Sequence, residues 1–355
     1  VKLLGAFNHL HIFIDPDPDP ERSYEERRRL FELPTSTWED YDPAVLSPGG
    51  QVLARHAKTV RLTPESRRLL GIDSAEVDPT RVIRALLTLE VDVLWNGGIG
   101  TYIRSSLEDD RDVGDLANAA VRVEARRARA RIFGEGGNLG ATQRGRVQFA
   151  LRGGRVNSDF VDNSGGVDCS DHEVNLKILL APAVAAGELS IEERNEILAE
   201  IEDEVCLQVL RNNSSQGRML SLAEQRGKHD PFSFERAMKT LEDRGWIDRD
   251  RESLPNLETL TNRLAQSAAF TRPEIAVLSA YAKMYLFEKL QEDPRRLEAE
   301  IDEDLRGYFP ATIRERFADR IPEHLLAREI ALTVLTNRII DYAGSAFIIE
   351  MARET

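Results

Sequence analysis

The chain has 355 residues, enough for two domains of ordinary size, and its 41% hydrophobic and 30% charged residues exclude a disordered chain. A formal net charge of -14 repels phosphate backbones at long range and argues against a general nucleic-acid partner, while no apolar run reaches the length of a membrane span. Two cysteines, Cys169 and Cys206, give no disulfide framework and suit a reducing cytoplasmic setting, with both thiols expected to be buried.

The opening VKLLGAFNHLHIFID is no signal peptide and reads as the middle of a longer polypeptide. Residues 1–8 resemble the tail of an amphipathic helix, and residues 11–14 form a short apolar strand that stops at Asp15 before a solvated Pro/Asp turn. A helix tail followed by a strand ending in an acid is the second half of a nucleotide-binding βαβ unit. Its first strand and glycine-rich turn would then precede residue 1. Residues 20–90 look like an elaborated region, with a helix over 23–33, a loop over 34–50 and a helix whose first turn holds Pro64.

Val82, Ile83, Leu86 and Leu87 make one helical face, and Val91, Val93, Leu94 and Trp95 predict a buried strand ending in Asn96-Gly97-Gly98. The strong helix formers of ANAAVRVEARRARA predict a helix over 115–130. A strand over 131–133 then ends in Gly134-Glu135-Gly136-Gly137-Asn138, residues 143–151 form a connection, and a strand over 156–161 ends in Asp162-Asn163-Ser164-Gly165-Gly166. Four strands separated by helical segments call for a right-handed parallel sheet, which binds ligands along the C-terminal edge of its strands. Asp15, Asn96, Asn138 and Asn163 are expected to converge there, glycines exposing bare backbone and asparagines offering a donor and an acceptor each.

Beyond residue 182 the pattern is helical. Ser190 with Glu193 and Thr271 with Glu274 form capping boxes, and further helices are expected over 234–247, 294–309 and 323–354. Leu335, Ile339, Tyr342 and Ala346 read as a core stripe on the last helix, and Ala343-Gly344-Ser345-Ala346 as a step that permits a kink. The expected architecture is α/β: a Rossmann-like, mostly parallel sheet truncated at its N-terminus over 1–182, then an all-α region over 183–355.

Three stretches, DVLWNGGIGTYIRSS, IFGEGGNLGATQRGR and GRVNSDFVDNSGGVDCSDHEVNLKILL, resemble in that order the large bacterial NAD-specific glutamate dehydrogenases. The likeness runs through the whole chain, as the C-terminal part of a longer polypeptide. It implies oxidative deamination of L-glutamate to 2-oxoglutarate and ammonia, with hydride passing to NAD, in a full-length enzyme expected to be a homo-oligomer. By this resemblance Asp15 would bind the adenosine ribose and repel a 2′-phosphate. Asn96 and Gly97 would lie near the cofactor, and Gly136 and Asn138 at its nicotinamide end.

Asn163 would bind nicotinamide ribose or substrate, with Gly165 and Gly166 letting the chain pass beneath. Ser170 would donate to the distal carboxylate of glutamate, aided by a lysine or arginine from elsewhere; alternatively it caps a helix beginning at Asp171, with Glu173 completing the box. His172 and Glu173 have no metal-spaced partner, so no metal is expected. The lysine and aspartate that do the acid-base work in this superfamily have no counterpart here. They are expected upstream of residue 1, and the isolated chain is expected to be inactive. The alternatives are a dehydrogenase of another amino acid, or a non-catalytic regulatory or assembly module.

Overall fold

The structure is a computed structural model and describes residues 1–292 and 301–351. The chain forms two compact units: one of Val1–Leu94, Ile99–Phe133 and Leu139–Arg155, the other of Trp95–Gly98, Gly134–Asn138 and Val156–Thr355.

The first unit begins with an antiparallel sheet in which β2 (His11–Ile14) lies between β1 (Gly5–Phe7) and β3 (Gln51–Ala54). Residues 1–8 are therefore a strand and a tight reversal, not a helix tail. Asn8 Oδ1 accepts from Leu10 N at 2.8 Å and His11 N at 2.7 Å, which folds the chain back on itself before a helical turn can close. Phe13 is buried against Trp38 and Tyr41, with ring centroids 4.5 and 5.0 Å away. The strand that ends at Asp15 is thus the centre of an antiparallel sheet and not part of a parallel βαβ unit.

Helices then start where side-chain caps stand: Asp19 for Pro20–Glu32, Thr63 for Pro64–Leu70 and Asp78 for Pro79–Leu87. The last buries Val82, Ile83, Leu86 and Leu87 as its spacing predicts. Between them β4 (Val60–Arg61) pairs antiparallel with β5 (Glu76–Val77). β6 (Val93–Asn96) follows, apolar but not buried: Val93 is 52% and Trp95 61% exposed on this edge strand.

No continuous helix forms over 115–130. β8 (Val123–Glu124) instead runs parallel to β7 (Ile103–Arg104), and only short 3-10 turns flank it. Arg122 sets this conformation. Its side chain is fully buried, donating from Nε to Thr101 O at 2.8 Å and from Nη1 to Asp110 Oδ1 at 2.8 Å, with a further bond to Asp115 O. Such a charge network outweighs the few tenths of a kcal/mol per residue, about 0.2–0.7, that separate helix propensities.

β9 (Ile132–Glu135) and β10 (Arg155–Val156) join β6 in a parallel sheet of order β10-β9-β6, and each of the three strands carries the chain from one unit into the other. The strand expected over 156–161 is only two residues long. Val161 N and Asp162 N both bond back to Ser158 O, so the chain enters a short helix, Asp159–Asp162, and then the long helix Ser164–Ala185. Gly165 and Gly166 accordingly lie inside a helix and not in a loop.

The second unit is helical from there on: Ile191–Glu200, Glu202–His229, Pro231–Asp243, Leu257–Leu264, Arg272–Glu292, Ile301–Tyr308, Ala311–Arg316, Ala327–Ala343 and Ser345–Met351. Ser190 and Glu193 form the reciprocal capping box, and Glu274 accepts from Thr271 N at 2.8 Å. Two cores result, one of Met219, Leu220, Met238, Leu241 and Ile275 and their neighbours, the other of Leu176, Leu180, Ile201, Phe309 and Ile313 and theirs. The boundary expected at 182 differs from this division, because Pro182 lies within Ser164–Ala185, whose Leu176, Leu179 and Leu180 belong to the second core.

Two smaller expectations are also corrected. Tyr342 is 83% exposed, and the buried face of Ala327–Ala343 is Ala331, Leu332, Thr336 and Ile340, which packs against Arg272–Glu292 and Ile301–Tyr308. Cys206 is exposed and Cys169 only partly covered, so neither is the buried thiol expected. Of the helix expected over 294–309, residues 294–300 lie outside the described residues, as do 352–354 of the last one. Among the described residues no helix is long and apolar enough to cross a membrane, and no group of His, Cys, Asp and Glu has metal-binding geometry.

Candidate cofactor and substrate site

In the second unit the C-terminal ends of β6 and β9 lie side by side. Gly136 N and Gly137 N donate to Asn96 O at 2.8 and 3.2 Å, clamping the two glycine runs together. The approach is close enough to dictate the residue type: a Cβ on Gly137 would stand 2.3 Å from Gly98 O. Trp95 covers the adjoining face, since a Cβ on Gly134 or Gly136 would meet its indole at 2.7 or 2.5 Å. The strand ends thus present bare backbone beside one large aromatic ring.

Three asparagines surround this backbone. Asn138 is exposed at the end of β9, and its Oδ1 accepts from Asn163 Nδ2 at 2.6 Å. Asn96 Nδ2 is buried and has no hydrogen-bond partner among the described residues, so a donor remains available to a bound group. Asn163 stands at the head of Ser164–Ala185, and Gly166, Val167 and Ser170 follow it at helical spacing on one face. That face is open: Gly166 and Ser170 are exposed and Val167 is 71% exposed. Ser170 cannot be an N-cap, because the helix begins six residues earlier at Ser164, and Glu173 pairs instead with Lys177. Its hydroxyl lies roughly 10 Å along the helix axis from Asn163.

A second set of polar residues, without a local sequence signal, holds Asn163 in place. Asp162 accepts from Glu135 N at 3.1 Å and from Asn157 Nδ2 at 2.7 Å. Asn157 Oδ1 accepts in turn from Arg272 Nε at 2.8 Å, and Asn213 Nδ2 donates to Val161 O at 2.8 Å and Ser164 Oγ at 2.9 Å. Arg272 and Asn157 are 115 residues apart, so only the fold pairs them. On the other side of the same helix, His172 is 2% exposed and stacks on Tyr308 at 4.3 Å, with Asp168 Oδ1 3.7 Å from its Nε2. Burial holds its imidazole below the usual range, hence neutral, and burial also raises the Tyr308 phenol, whose hydroxyl donates to Asp171 at 2.8 Å.

Asp15 belongs to the first unit and is fully buried. Its Oδ1 accepts from Ser47 N at 3.1 Å and from the Ser47 hydroxyl, while Oδ2 is buried and unpartnered. The parallel strand end that motivated a ribose contact is absent, and the carboxylate instead fastens the 47–50 turn to the antiparallel sheet.

Residues 1–223 match the family model described as bacterial NAD-glutamate dehydrogenase, catalytic domain. The chain belongs to that family. Residues 267–355 match a second model, glutamate dehydrogenase, C-terminal. Curated relatives named NAD-specific glutamate dehydrogenase come from Pseudomonas aeruginosa, 45% identical over 355 residues and 100% of this chain, and Halomonas elongata, 44% identical over 348 residues and 98% of it. A third, from Mycobacterium tuberculosis, is 42% identical over 360 residues and covers 100% of the chain. The chain spans 22% of the length of each. The family that the three motifs resemble is therefore the one to which the chain belongs, and its asparagine cluster can be considered as part of a bacterial NAD-glutamate dehydrogenase.

Proposed function

We propose that this chain supplies the nicotinamide and substrate side of an NAD-dependent glutamate dehydrogenase, which converts L-glutamate to 2-oxoglutarate and ammonia. The observation that carries the reading is the Asn138–Asn163 pair beside side-chain-free strand ends, in a member of this family. NAD, when bound, accepts the hydride from the substrate α-carbon. Gly97 and Gly98 leave room for a flat ring against backbone, while Gly136 and Gly137 let the strand ends close against Trp95 and Gly98. Asn96 Nδ2, Asn138 and Asn163 offer donors and acceptors to the carboxamide and ribose hydroxyls, and so fix the face of the ring that meets the substrate.

Ser170, on the open face of the same helix, donates one hydrogen bond to the distal carboxylate. A neutral hydroxyl orients that carboxylate without neutralising it, so a cation from another part of the enzyme completes the subsite. The same holds for the lysine and aspartate of the acid-base step, whose motifs are not in this sequence. We assign the complete enzyme to the cytoplasm and to a homo-oligomeric state.

Titration of NAD and NADP by calorimetry tests the reading. Asn163→Ala should weaken NAD binding about tenfold, the loss of one or two hydrogen bonds, while the melting temperature stays within a few degrees. NAD affinity unchanged by Asn163→Ala would remove the asparagine pair from the cofactor site.

A further inference from the structure

The first unit carries an open cleft of about 790 Å³ that shares no lining residue with the asparagine cluster. Arg129, Arg131, Arg152 and Arg155 line it, together with Glu90 and Asp92. Four guanidinium groups against two carboxylates leave it with two excess positive charges, in a chain whose formal net charge is -14. The fold gathers them. Asp92, Arg131 and Arg155 stand at the N-terminal ends of β6, β9 and β10, and Arg155 N bonds to Arg131 O at 2.9 Å, so two of the arginines rise from adjacent strand starts. Arg152 closes the helix Gln143–Leu151, and Gly153, with φ +90, turns the chain sharply back to bring Arg155 beside it.

These charges are positioned without being cancelled. Arg129 Nε donates to Thr88 O at 2.8 Å and Arg152 Nη1 to Ala125 O at 3.4 Å, neutral acceptors that orient each guanidinium and leave its remaining N–H groups free to bind. Arg131 meets Asp92 at 3.1 Å, but both side chains are more than four-fifths exposed, and such a pair is easily exchanged for a stronger partner. Arg155 has no ion pair among the described residues.

We propose that this cleft binds a phosphate-bearing anion with at least two phosphate groups, either a free polyphosphate or the phosphates of a nucleoside polyphosphate. Planar guanidinium forks match phosphate oxygens two at a time, and four of them around one cleft exceed what a single carboxylate can engage. The site is independent of the function proposed above.

Calorimetric titration of the protein with inorganic tripolyphosphate, ATP and citrate tests it. Tripolyphosphate should bind with a Kd below about 1 mM, and Arg155→Gln, which breaks no internal bond, should weaken it about tenfold at unchanged melting temperature. Asp92→Asn, which removes a competing carboxylate, should tighten it. ATP is counted only by the binding that Arg155→Gln removes, which separates it from any occupancy of the asparagine cluster. ATP tighter than tripolyphosphate assigns a nucleoside polyphosphate, and equal affinity assigns the free chain. Absence of tripolyphosphate binding, equal binding of citrate, or an affinity indifferent to both Arg155→Gln and Arg131→Gln would overturn the proposal.

Discussion

Gly137 has no room for a methyl group, because Gly98 O occupies the position 2.3 Å from where its Cβ would fall. Gly137→Ala must force the two strand ends apart, at a cost of about 1–3 kcal/mol, the usual range for overpacking. Chemical denaturation should show that loss, together with NAD binding weaker than in Asn163→Ala. Asp15 makes the opposite case. Its buried carboxylate serves Ser47, so Asp15→Ser should lower stability by about 1–3 kcal/mol and leave the preference for NAD over NADP unchanged; a shifted preference would restore the ribose contact. At this scale the sequence was legible where chemistry is local. Asn96, Asn138 and Asn163 are visible as asparagines beside glycines, whereas Asn157, Asp162 and Arg272 act through partners that only folding brings near.

The elements misread from sequence were each overridden by polar contacts, local ones at Asn8 and Ser158 and a tertiary one at Arg122. Asn8 reverses the chain where a helix tail was expected, Arg122 holds 115–130 out of a helix, and Ser158 with Asp162 ends β10 early. Elements announced by a local start signal, the first-turn Pro64 and the capping box of Ser190 with Glu193, form where expected because the signal and the structure lie within one turn. Arg122→Leu tests the strength of the override. It removes the donor to Thr101 O and Asp115 O, while the half-exposed Asp110 keeps Arg104, and should cost about 1–3 kcal/mol in thermal melts, whereas Arg126→Leu, at an exposed neighbour, should stay within about 0.5 kcal/mol.

For the whole molecule, the buried helix side around His172 predicts how stability follows pH. Burial lowers the folded pKa of His172, so the unfolded chain takes up the proton first. Its contribution is complete above the unfolded value of about 6.5 and declines as pH falls from there toward the depressed folded value. Denaturant midpoints should therefore drop between about pH 6.5 and 5, and His172→Phe, which keeps the stack on Tyr308, should flatten that drop. An equal slope in both proteins would refute the assignment. The division into units was not legible in the sequence, because the pieces 95–98 and 134–138 that belong to the helical unit are too short to announce a change of domain.

That interleaving bears on how such a protein can be inherited. The helical unit owns two glycine-bearing pieces that are encoded within the stretch specifying the other unit, so no single pair of breakpoints lifts it out whole. A recombination event that carried residues 156–355 to a new gene would leave Asn96 and Asn138 behind and deliver Asn163 without its counterpart. The asparagine cluster is therefore not a portable cassette: it passes between genomes with both units, or it must be assembled anew.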